Sequence, residues 1–77
     1  MNKYPIVEVT WEDHRGHSDA VELEDIADLC VIQSVGYLVK TTKRTVSLSQ
    51  ELHDDGMFRD VTTIAKVNVK KIKTIRK

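Results

Sequence analysis

Ile32-Gln33-Ser34-Val35-Gly36-Tyr37-Leu38-Val39 and Thr45-Val46-Ser47-Leu48, joined by the polar Lys40-Thr41-Thr42-Lys43-Arg44, decide how this chain folds. Both runs are rich in β-branched and aromatic residues that suit a pleated, half-buried surface, and five polar residues suffice to turn one strand back on the other. This is a β-hairpin. Working outward, Val7, Val9 and Trp11 alternate with Glu8, Thr10 and Glu12 behind Pro5, a period of two that places one face in a core and one in water. Downstream, Val61-Thr62-Thr63-Ile64-Ala65 reads as a further strand, Ala65 to Asn68 breaks the alternation, and Val69-Lys70-Lys71-Ile72-Lys73-Thr74-Ile75 resumes it.

Two segments read differently. Asp13 to Asp19 has no apolar residue and reads as an exposed loop, as does Ser49 to Met57, which ends in the turn-forming Asp54-Asp55-Gly56. Between them, Asp19 and Glu22 resemble a capping box. Leu23, Ile26, Ala27 and Cys30 follow at i, i+3, i+4 and i+7, which predicts a short amphipathic helix over 20–29. A competing reading makes 20–23 a strand end and leaves a single turn at 24–29. The expectation is a single domain over 1–77, mainly β with one short helix, built as a small SH3-like or Sm-like five-stranded barrel. The alternative is an open antiparallel sheet with the helix packed on one face.

Size and composition narrow the functional classes. Seventy-seven residues with 40% hydrophobic and 31% charged residues are ordinary for a folded domain whose core is thin. The single cysteine, Cys30, closes no intrachain disulfide, and the sequence shows neither a signal peptide nor a membrane-length apolar run. The expected address is the cytoplasm, with no membrane partner. Net charge is zero, yet residues 1–39 hold two cations against eight carboxylates and residues 40–77 hold ten cations against four. That split suits opposite charges meeting across a ladder between the first and last strands. It equally suits an acidic half meeting the basic half of a protein partner or of a second copy.

The landmarks Val7, Val9, Trp11 and Asp13, then Ser34-Val35-Gly36-Tyr37-Leu38-Val39, Val46 with Leu48, and Ile64-Ala65-Lys66 with Val69 and Ile72 resemble those of small phage and prophage proteins of uncharacterised function. The similarity spans most of residues 6–75. Those proteins usually place a proline where Ala65 stands. What the resemblance implies is a phage or prophage origin and an accessory or protein-interaction role, and it carries over no functional residue. Its motifs are structural: Trp11 is expected to anchor the core with Tyr37, and Gly36 to mark a bulge or a close backbone approach.

No constellation names a reaction. Cys30 falls on the apolar helical face, where a thiol behaves as a small hydrophobe. The serines lack a nucleophile elbow, Asp54 and Asp55 are adjacent in a loop, and no phosphate-cradling glycine loop occurs. The expectation is therefore a protein that is not an enzyme and needs no cofactor. His14 and His17, with Asp13 and Asp19, are of a type that ligates zinc, but their spacing around Gly16 favours a solvated loop. Lys40, Lys43, Arg44, Lys66, Lys70, Lys71 and Lys73, extended by Arg76 and Lys77, are the candidates for nucleic-acid binding. Against that reading, Tyr4, Trp11, Tyr37 and Phe58 are the only aromatics to stack on bases. Lysines also keep exposed sheet edges from pairing, so an accessory module is the leading expectation and a nucleic-acid-binding barrel the alternative.

Overall fold

Alternating side chains become one sheet in the computed structural model, which describes residues 4–13, 20, 22–25 and 30–77. Strand β1 (Ile6–Asp13) is followed by a 3₁₀ turn (Leu23–Asp25), β2 (Cys30–Thr41), β3 (Thr45–Leu52), β4 (Phe58–Ala65), a second 3₁₀ turn (Lys66–Asn68) and β5 (Val69–Arg76). All neighbours pair antiparallel in the order β4-β3-β2-β1-β5.

The period of two does its expected work. Val7, Val9, Val46, Leu48 and Ile64 are fully buried on one face, with Trp11, Leu38 and Val69 packed against them. Registers bring these positions together: Val7 lies opposite Gly36, Leu38 opposite Leu48, Val46 opposite Ile64 and Trp11 opposite Val69. At the rim of this cluster the Trp11 indole N–H donates to Ser34 Oγ at 3.0 Å, so the ring's polar edge is satisfied while its body covers aliphatics. Gly36 is a close approach and not a bulge. A Cβ there would stand 3.0 Å from the Ser49 carbonyl oxygen and 3.3 Å from Leu48 Cβ, while the nearest register shift falls between Leu38 and Lys40.

The five-stranded, mainly β architecture is as expected, but the sheet does not close into a barrel. β4 and β5 are each antiparallel to their neighbours and so run in the same direction, yet only three residues separate them. A parallel ladder between them would need a crossover of about a dozen residues or more, so β5 follows on from β4 and cannot lie along it. Both outer edges stay unpaired within the sheet. The sheet is nevertheless curled, since four residues from Ala65 to Val69 span at most about 14 Å, whereas four flat strand spacings would need about 19 Å. Register shifts in the β1–β5 and β2–β3 ladders supply local twist for that curl.

Four further expectations are corrected. Among the described part of 20–29 only the Leu23–Asp25 turn forms, with Leu23 86% exposed, and 26–29 lie outside the described residues. Cys30 does not sit on a helical face: it opens β2 opposite Asp13, because Val31 and Ile32 extend the β-branched run through it. The segment after Leu48 stays in β3 as far as Leu52. Its polar residues are satisfied within the sheet, Ser49 Oγ–H donating to the carbonyls of Glu51 (2.7 Å) and Arg59 (3.0 Å) and Gln50 Nε2 donating to Val35 O (2.7 Å). Tyr37 is half-buried on the sheet face opposite the core, aligned with Ile6 and Ser49, because its position in β2 has the other parity from Gly36 and Leu38.

Candidate functional site: two sheet edges and a basic corner

The open sheet presents two edges of different chemistry. β5 carries Lys70, Lys71, Lys73 and Arg76, and its paired side lies along acidic β1 as the charge split suggested. Lys70 Nζ meets Glu12 Oε1 at 2.8 Å, Lys73 stands opposite Glu8, and the Arg76 guanidinium lies 6.0 Å from the Tyr37 ring centre. Part of the basic strand is thus neutralised inside the fold.

The remaining candidate cations gather elsewhere. Thr42 builds the β2–β3 turn: its N–H donates to Thr45 O, and its hydroxyl oxygen accepts from the N–H groups of Arg44 (3.2 Å) and Thr45 (3.0 Å). Beyond the turn, the Lys66 N–H donates to the Arg44 carbonyl at 2.8 Å, which brings the hairpin tip against the second 3₁₀ turn. Lys43, Arg44 and Lys66 therefore share one corner, while Lys40 lies two residues back in β2 opposite Ser47. Among the described residues, carboxylates lie within pairing distance of Lys70 (Glu12), Arg59 (Glu51) and His53 (Glu51), and of none of these four cations.

β4 is the contrasting edge. From Val61 to Ala65 it bears no charge, Phe58 and Val61 within it are 41% and 49% exposed, and Met57 just before it is 64% exposed. Its charged residues are Arg59 and Asp60, the latter at φ 55°, a left-handed conformation that Asp tolerates better than most residues. That kink is held by buried Ser49, whose hydroxyl reaches across to Arg59 O. Sequence reasoning missed Ser49 and Asp60. A serine between Leu48 and Gln50 reads as an ordinary strand residue until its burial is seen.

The β3–β4 turn is built by Asp55 Oδ1 accepting from Met57 N–H, and by Gly56 at φ 88°, whose N–H donates to His53 O. Beside it Tyr37, Gln50, Glu51, Leu52, His53 and Asp54 line a shallow, open hollow of about 460 Å³. His53 Nε2 lies 3.0 Å from Glu51 Oε1, and among the described residues no group of three or more His, Cys, Asp or Glu side chains converges as a metal site would require. His14 and His17 lie outside the described residues. No described helix is long and apolar enough to cross a membrane. Compared with known proteins, the chain matches no family model, no curated protein and no solved structure.

Proposed function

We propose that this chain is a non-catalytic accessory module of the small phage or prophage type, and that it works by receiving an extended strand of a protein partner along β4. One observation carries the reading: the fold guards one sheet edge with lysines and leaves the other, eight residues long, with an uncharged run and an apolar rim. Unpaired N–H and C=O groups along such an edge are a template for another strand, and main-chain bonds supply affinity whatever the partner's sequence. A peptide of alternating Thr and Val, as long as β4, is the probe. Bound peptide is expected to slow hydrogen exchange at the β4 amides and leave β5 unchanged. Equal protection of both edges overturns the reading, as does protection of neither in a chain that stays a single copy.

A second reading is favoured by the bond from Lys66 N–H to Arg44 O, which concentrates Lys43, Arg44 and Lys66 without carboxylate partners among the described residues. Such a corner suits phosphate contacts by a nucleic acid, with Lys40 two residues before the turn in β2. Binding of labelled single-stranded DNA that falls with salt, and falls further on Lys43→Gln, Arg44→Gln and Lys66→Gln, supports this reading. Absence of binding at low salt refutes it.

A further inference from the structure

We infer that the strand received by β4 is β4 of a second copy, joined antiparallel across a two-fold axis through Thr63. This rests on the strand-accepting reading above and names its partner. The ladder itself sets the first constraint. Lys66 N–H bonds Arg44 O one position beyond the Ala65–Thr45 pair, so by antiparallel alternation Ile64 and Thr62 direct their backbone groups toward β3. Val61, Thr63 and Ala65 then turn theirs outward. Pairing Thr63 with itself sets Val61 opposite Ala65 of the mate, so each outward N–H of this run faces a carbonyl, that of Ala65 being shared with the second 3₁₀ turn it caps.

Charge selects that register. Centred on Thr63, Asp60 of each copy stands level with Lys66 of the other, just past the end of the ladder. Neither side chain has an ion-pair partner among the described residues, and the two-fold closes both at once. A slip of two residues in either direction sets Asp60 against Ile64 or Asn68 of the mate and loses both pairs. Pairing β4 with β5 of the mate is the poorer solution, because Lys70, Lys71 and Lys73 would approach a strand with one carboxylate and one arginine. The self-paired arrangement also covers the half-exposed Val61 and extends two five-stranded sheets into one of ten.

Light scattering reads the assembly and cysteine cross-linking reads the register. The full chain is expected to have the mass of two copies. Lys66→Glu, which sets like charges level, is expected to shift it toward one copy, and adding Asp60→Asn to that variant to restore part of the dimer. In a Cys30→Ser background, Thr63→Cys is expected to oxidise to a covalent dimer, since facing Cα atoms in a hydrogen-bonded antiparallel pair lie about 5.5 Å apart, within disulfide reach. Val61→Cys is the control. It sits two residues off the axis, so its copies stand about 13 Å apart and do not cross-link. Circular dichroism confirms that each variant is folded. A chain of single mass whose β4 amides are still protected by the Thr-Val peptide refutes the second copy and spares the strand-accepting reading. A single mass with no protection refutes both, and a dimer that cross-links equally well through position 61 refutes the axis.

Discussion

Gly36→Ala adds one methyl group where the structure has no room for it. The new Cβ would stand 3.0 Å from the Ser49 carbonyl oxygen, 3.1 Å from Gln50 Nε2 and 3.3 Å from Leu48 Cβ. Gln50 can swing away, but only by giving up its 2.7 Å bond to Val35 O, worth about 1 kcal/mol. Ser49 O cannot swing, being backbone in the middle of β3. Overpacking of this kind costs about 1–3 kcal/mol, while alanine's smaller unfolded-state entropy returns about 0.4–1 kcal/mol. The net expectation is a loss of about 1–2 kcal/mol. Thermal unfolding followed by circular dichroism should show it as a fall in Tm of about 4–8 °C for each kcal/mol in a domain of this size. Gly56→Ala separates the causes: no atom lies within 4 Å of its new Cβ, so only its φ of 88° resists, at about 1 kcal/mol, and Gly56→Asn should recover part of that. A Gly36→Ala protein as stable as the parent would refute the close approach, and with it the packing of β2 on β3.

Other substitutions test other parts of the fold. Leu48→Ala removes the largest fully buried side chain from a cluster of five and should cost about 2–5 kcal/mol, leaving a chain that melts at low urea. Ser49→Ala strands the Glu51 and Arg59 carbonyls beside the Asp60 kink and should cost about 1–3 kcal/mol by urea titration, with faster exchange confined to β3 and β4. Glu12→Gln breaks the pair with Lys70, whose side chain is about half exposed. The loss should stay below about 1 kcal/mol and shrink as salt is raised.

Much of the sheet was legible because burial at every second position is written locally. Val7, Val9 and Trp11, the two arms of the hairpin and the lysine-decorated last strand all appear as strands, each hairpin arm four residues longer than expected because Cys30, Val31, Lys40 and Thr41 join β2 and Ser49 to Leu52 join β3. The helix over 20–29 rested on a 3.6-residue period in four residues. Of these, Leu23 is exposed and Cys30 belongs to β2, whose twelve residues pair along β1 and β3. Pairing of that length outweighs a weak local preference. Tyr37 shows the same limit on a smaller scale: its aromatic ring suggested the core, and parity put it on the other face.

The amino-acid sequence by itself determined that this chain makes strands, where they turn, and that its two halves carry opposite charge. Only the tertiary structure decided which charges meet: β5 against β1 neutralises Lys70, the Lys66–Arg44 bond gathers the hairpin cations, and β4 is left as the uncharged edge. Periodicity is a property of neighbours along the chain, whereas strand order follows from how distant segments share one thin core. The same lysine therefore reads alike in β5 and in the 3₁₀ turn until its neighbours across the sheet are known.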